Sequence, residues 1–433
     1  MKALLTLAKD SDSLAQALQQ AIDIEMATIP VYLYTYYSII REPNQDQIQA
    51  DYTNAFINAG MPADVAAQAA LEKSAEVMVY ANKAGATIMS VVIEEMLHMS
   101  LSSNIHRALV GMPQLVGISP EGWPVNLPGR FPALSIDLAP LSDHQLDQFI
   151  AIESPGGTPP PNANNIPEHW VSIGEFYATI LDYIEKNIKP EDYKKYEGQP
   201  QLGPGNNYYT HNNVDTVYYD KYHKPKFTNA DDSGDLLIID SNEAVRRAIT
   251  TIVEQGEGTI ANDHTTDDKL GDEESHYRKF VDLKNELPNF INDTKYFIKP
   301  YPVNPTTASY PADIQTVSNL LNGIYTYMYM LMDACYRNPL PQQSEIFNFG
   351  MHKGMVFMLS TMCDYITGLK LPDGTFAAPT FENYKFSPET TAKSQLLAMY
   401  NAIPASLNPP TSLPGRMATL PDMSSIAGEA VAF

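Results

Sequence analysis

The chain has 433 residues, 44% of them hydrophobic and only 18% charged, which exceeds a minimal bundle and leaves room for one elaborated domain or two. A formal net charge of -23 excludes nucleic acid and anionic membrane as partners, because both would repel so acidic a surface. Two cysteines, Cys335 and Cys363, are too few for a disulfide framework, and their apolar surroundings predict buried free thiols.

The N-terminal apolar run is interrupted by Lys9, Asp10 and Asp12, too early for a secretory signal, and no uncharged apolar run reaches the length of a membrane span. A soluble, cytoplasmic protein is expected. Ser11-Asp12-Ser13 can cap a first helix on which Leu14, Leu18, Ile22 and Ile29 recur at helical spacing. Glu25 falls on that same stripe. A carboxylate on a buried helix face must be paired, protonated or bound to metal, and basic residues are scarce in the apolar runs of this chain, so Glu25 is a candidate ligand. Pro30 predicts a kink near Met26, with Tyr32, Tyr34, Tyr36 and Tyr37 beyond it as core and hydrogen-bonding residues, a redox role being the alternative.

After a polar connection over 42–51, a second long helix is expected to end at Leu109, before Gly111-Met112-Pro113. Its run Glu94-Glu95-Met96-Leu97-His98 places Glu95 and His98 on one face, about a turn apart. Such a Glu-x-x-His pair can share a metal ion, and carboxylate-bridged di-iron and di-manganese bundles use it on two of their four helices. Glu94 competes with Glu95 for that role, and His106 reads as a capping or surface histidine.

From Gly111 to Pro167 recurrent prolines predict a crossover, with a short helix allowed from His144 to Ile152 and a possible part in the active-site wall. Helix resumes over 173–189, where Glu175 is the first candidate for a third-helix carboxylate. A Tyr/Gly-rich insertion occupies about 190–240, and its His211 and His223 read as surface residues. Ser241-Asn242-Glu243 then caps a helix over 244–255 that ends at Gly256-Glu257-Gly258, presenting Glu254 or Glu257 at its terminus. After a polar loop containing His264, which is left unassigned, Glu273-Glu274-Ser275-His276 forms a second Glu-x-x-His run in the first turns of a helix over 272–280. Glu254 or Glu257 can therefore meet His276 at one end of the bundle, while Asp272, Glu273 and Glu274 equally suit the helix dipole.

The blocks Ala21 to Pro30, Glu94 to Met99, Gln255 to Gly258 and Ser275 to Phe280 resemble the ferritin-like family of iminophenyl-pyruvate dimer synthases, whose domain type accompanies the coupling of oxidised tryptophan units on the way to violacein and rebeccamycin. The resemblance runs in ordered blocks from about 10 to 280. It implies a ferritin-like fold and metal, and carries the motif positions onto Glu25, Glu95, His98, Glu257 and His276, and less directly onto Glu254, Glu273 and Glu175.

Beyond Leu283 an extended proline-rich link leads to apolar helical runs over 317–336 and 346–369, in which Met and Tyr read as core and His352 is the one candidate ligand. A turn and loop over 371–386 and a proline-rich tail follow. The expected architecture is mainly α: a ferritin-like four-helix bundle over 10–285, with insertions at about 111–170 and 190–240, and a helical extension over 286–433 packed on it.

Carboxylates and imidazoles suit iron, as two ions or one, with manganese as the alternative. The first functional expectation is an oxidoreductase using dioxygen or peroxide on a small, amino-acid-derived aromatic metabolite. A non-redox, metal-assisted enzyme dimerising imines or keto acids and a metal-binding structural or storage protein without catalysis are the alternatives.

Overall fold

The computed structural model describes residues 11–155, 170–206, 222, 236–258, 274–423 and 430–432. Helix α1 (Ser11–Ser38) stays helical through Pro30 and carries all four tyrosines on one element. Part of the expected polar connection is instead a helix, α2 (Gln45–Asn58), capped by Asn44, whose side chain accepts from Gln47 N at 3.1 Å. Ile48 is the residue α2 buries fully, so it carries too little apolar signal to be read from periodicity.

Helix α3 (Ala63–Leu109) is the central element, and every residue from Val91 to Ala108 is buried. A helix enclosed on all sides has no solvent face to alternate with its core face. Helix α1 runs antiparallel to this second half of α3. Arg41 lies across Gly85, Thr28 bonds Glu95, and Gln19 accepts from Gln114 N.

Four shorter helices close around this pair: α4 (Asp143–Ile152), α5 (Ile173–Asn187), α6 (Asn242–Gly256) and α7 (His276–Glu286). Each opens on a serine, Ser142, Ser172, Ser241 and Ser275, whose hydroxyl accepts a backbone N–H of the first turn. Such a cap is worth about 1 kcal/mol and sets the residue at which the helix starts. Helix α7 therefore begins at His276, and the Asp272 and Glu273 of the expected helix start lie outside the described residues. Helix α4 packs on α7, and α5 on α6. A two-residue antiparallel ladder, Val125↔Ile136 and Asn126↔Ser135, braces the crossover before α4.

On the far side of α1 and α3 lie α8 (Ala312–Arg337) and a π-helical segment, Ile346–Leu359, that continues into α9 (Ser360–Ile366). The predicted helix over 346–369 is thus π-helical in its first part and ends at Ile366. The tail adds α10 (Ala392–Ala402) and α11 (Leu413–Ala418), and buries Leu413, Met417, Leu420 and Met423. One continuous hydrophobic core runs from α1 and α3 into α8 and the tail. Where they meet, Ile29, Leu33, Met96 and Met99 line a small apolar cavity with Tyr325, Met328, Tyr329 and Met355.

Candidate metal centre

Two groups of buried acidic and histidine side chains converge between α1, α3, α4 and α7. One is Glu25, Glu95 and His98; the other is Glu95, Glu153 and His276, and Glu95 belongs to both. The structure thus brings together four of the five ligands expected from the sequence.

Glu95 Oε1 is the hinge of the arrangement, 3.5 Å from His98 Nδ1 and 3.0 Å from His276 Nδ1. Glu25 Oε2 lies 3.9 Å from His98 Nδ1, and Glu153 Oε2 lies 3.7 Å from His276 Nδ1. Donors bound at about 2.1 Å to one ion, at angles from roughly 90° to 135°, stand roughly 3.0–3.9 Å apart. The donor set therefore has the spacing of metal ligands.

The outward-facing atoms are held by specific partners. Thr28 Oγ1 donates to Glu95 Oε2 at 2.7 Å, Tyr177 to Glu25 Oε1 at 2.5 Å, and Tyr32 to Glu153 Oε1 at 2.5 Å. Each carboxylate thus has one oxygen held from outside and the other in the cluster. Ser102 Oγ in turn lies 2.8 Å from the Tyr177 hydroxyl. The histidines follow the same rule: His98 Nε2 meets Gln255 Oε1 at 2.9 Å and His276 Nε2 meets Glu94 Oε2 at 2.6 Å. Both acceptors are oxygens, so each Nε2 carries the proton and each Nδ1 faces the centre. The two rings stack 5.5 Å apart. His276 Nδ1 is buried and makes no hydrogen bond, an orphaned polar atom of the kind that a metal ion satisfies.

Charge points the same way. Three carboxylates lie 2–3% exposed, and among the described residues their ion-pair partners are the two histidines. Burial, and then repulsion from Glu95, push the Glu25 carboxyl well above the ordinary range. Burial also opposes ionisation of Glu95, but His276 and His98 together outweigh it and hold that carboxyl far below its usual value. Burial disfavours the charged form of His276, yet Glu153, Glu94 and Glu95 overcome it and raise the imidazole well above its normal range. Tyr32 and Tyr177 are pushed up by burial first and by the adjoining carboxylates second, so both remain hydrogen-bond donors. An uncompensated cluster of buried carboxylates is costly, and a bound cation is the ordinary remedy.

Glu257 stands outside both groups. Its Oε1 accepts from Gly174 N at 2.6 Å, and Ser172 Oγ lies 3.5 Å from its Oε2, so it sits on the N-terminus of α5. A Cβ at residue 174 would fall 2.4 Å from Glu257 Oε2, so glycine is what lets the carboxylate approach. Glu175 accepts from Val171 N at that same helix end, and Glu254 is half-buried on α6. Glu94 is joined to His276 and Lys279 instead of taking the place of Glu95. His106 Nδ1 bonds Gly111 O and closes the end of α3. Glu273, His211, His223 and His264, and the side chain of His352, lie outside the described residues.

Glu153 was not anticipated. It is the C-cap of α4, four residues beyond the buried Phe149, seven beyond the buried Leu146 and three beyond the half-buried Ile150. A carboxylate continuing an apolar helical stripe is the signal that singles out Glu25, and it was present here too. Gln255 gave no such sign, since an amide on a helix face is ordinary.

The sequence model of the ferritin-like family matches residues 18–285, a span that includes Glu25, Glu95, His98, Glu153 and His276. A solved structure of a ferritin-like protein from Caulobacter vibrioides is similar at 18% identity and a TM-score of 0.45, covering 79% of this chain and 96% of that one. The chain matches no curated protein. With more than half of its length matched by the family model, the chain belongs to the ferritin-like family.

Proposed function

We propose that the chain is a two-metal, iron-dependent oxidoreductase acting on a small, amino-acid-derived aromatic metabolite, with manganese as the alternative metal. The observation that carries this reading is Glu95 Oε1, within 3.5 Å of one histidine Nδ1 and 3.0 Å of the other, each flanked by a further carboxylate. An all-oxygen and nitrogen donor set without thiolate suits iron or manganese better than structural zinc. Glu25, Glu95 and His98 would hold one ion, and Glu95, Glu153 and His276 the other.

Iron bound there supplies oxygen-dependent oxidation of organic groups. The chain's own residues prepare the place. Thr28, Tyr177 and Tyr32 fix the orientation of the three carboxylates, and Glu94 holds the Nε2 proton of His276. Tyr32, Phe149 and Phe280 pack as an aromatic wall, with centroids 4.6–5.3 Å apart, and exclude water on the Glu153 side. The resemblance to the iminophenyl-pyruvate dimer synthases supports the aromatic, amino-acid-derived substrate class.

The test is the metal content of protein purified without chelator, compared with a Glu95→Ala, His98→Ala variant. About two iron ions per chain, as carboxylate-bridged bundles hold, lost in the variant and consuming dioxygen on reduction, is the expected result. Absence of metal after reconstitution would overturn the reading. Turnover of an imine or keto acid under anaerobic conditions with a redox-inert metal would replace it with a non-redox dimerising enzyme. Metal uptake with neither activity would leave storage.

A further inference from the structure

The two halves of the centre resemble each other in their inward atoms and differ behind their histidines. His98 Nε2 donates to the neutral amide oxygen of Gln255 at 2.9 Å. His276 Nε2 donates to the Glu94 carboxylate at 2.6 Å, and Glu94 is gripped by Lys279 Nζ at 2.9 and 3.1 Å. Hydrogen bonds to an ionised acceptor are shorter and roughly twice as strong as neutral ones. Polarising the far N–H of an imidazole raises electron density at the other ring nitrogen, and a carboxylate does this more than an amide does.

From this contrast we infer that the two positions are unequal, and that Glu94 makes the Glu95/Glu153/His276 position the tighter. The inference rests on the metal reading above and adds an order of filling to it. The first ion enters beside His276, and the second completes the Glu25/Glu95/His98 position at higher concentration. Glu94 is a positioning residue here, acting through His276, and Lys279 keeps its carboxylate in place.

The three features that the two positions share favour equality, which makes the difference diagnostic. Each has one private carboxylate, the same inward oxygen of Glu95, Oε1, and a tyrosine on the outer oxygen of the private carboxylate. The residue accepting from the histidine is where they diverge in charge.

The experiment titrates the chelator-stripped full-length protein with manganese(II), following free manganese by its electron paramagnetic resonance signal. Wild type should show two steps. Glu94→Gln keeps the shape and removes the charge, and should weaken the first step by about ten- to a hundredfold while changing the second far less, so that the steps merge. Gln255→Glu should tighten the second step, a gain that a misfolded variant cannot mimic. Two ions bound with a first step unaltered by Glu94→Gln, or with both steps weakened equally, would overturn the inference and leave the metal reading standing. No manganese bound by wild type would overturn both.

Discussion

Replacing Glu25 with glutamine should stabilise the metal-free protein at neutral pH while impairing the centre. The donor atoms of Glu25 and Glu95 lie within 4.8 Å of each other, and two unit charges at that distance interact by about 3.5 kcal/mol at an effective dielectric of about 20. Glutamine keeps the volume and can still accept from Tyr177, but escapes both that repulsion and the desolvation that raises Glu25. Loss of attraction to His98 offsets part of the gain, so a net stabilisation of roughly 1–3 kcal/mol is expected. A carboxyl whose folded pKa is raised binds its proton more tightly in the folded state. Metal-free wild type is therefore favoured at acid pH, and loses stability as pH rises above 4.5 towards the raised value. The Glu25→Gln advantage should thus be present at pH 7 and shrink towards pH 4. Urea unfolding of chelator-stripped proteins across that range measures it. Saturating metal should reverse the order, because ions that bind only the folded wild type add about 2.7 kcal/mol at a hundredfold excess over Kd. A variant less stable than metal-free wild type at pH 7 would refute the reasoning and make Glu25 a structural acceptor for Tyr177.

The two remaining carboxylate assignments separate in one comparison. Glu153→Ala should lose one ion by elemental analysis, whereas Glu257→Ala should keep the stoichiometry and lose about 1–3 kcal/mol by leaving the Gly174 N–H at the start of α5 without its acceptor. Tyr177→Phe removes the donor to Glu25 without touching an inward atom, and should weaken metal binding by about ten- to a hundredfold with the stoichiometry intact. Unchanged affinity in that variant would mean that burial alone orients Glu25.

The part of the site legible in the sequence is the part written in local periodicity. Glu25 on an apolar stripe and Glu95-x-x-His98 inside a long apolar run need only helical geometry to be placed on one buried face, and His276 was marked by repetition of the same spacing. What escaped depended on tertiary contacts. Glu153 sits where a short helix ends in a proline-rich crossover, and only packing of α4 on α7 brings it to His276. Glu257 was expected near His276 because it lies close in sequence, but the N-terminus of α5, distant in sequence, claims its carboxylate. Helix α2 was hidden for the opposite reason: it is polar nearly all round, and its evidence is the Asn44 cap rather than a stripe.

The C-terminal half bears on whether this centre can exist in the bundle alone. Helix α3 is enclosed on every side at the level of Glu95 and His98, and the residues beside them, Met96 and Met99, face α8 and the π-helical segment together with Ile29 and Leu33 of α1. Tyr336 on α8 also donates to Ser100 O at 3.1 Å, two residues beyond His98. Burying each such apolar side chain contributes roughly 1.5–3 kcal/mol. Uncovering these four would therefore remove roughly 6–12 kcal/mol, comparable with the whole stability of a typical domain. A chain ending near residue 290 should accordingly be insoluble or lack cooperative unfolding, although it retains every proposed ligand. Circular dichroism melts and metal analysis of that fragment decide the matter. A fragment that melts cooperatively and takes up metal like the full chain would show the extension to be separable, and would remove the physical ground for treating α1 and α3 as clamped from both sides.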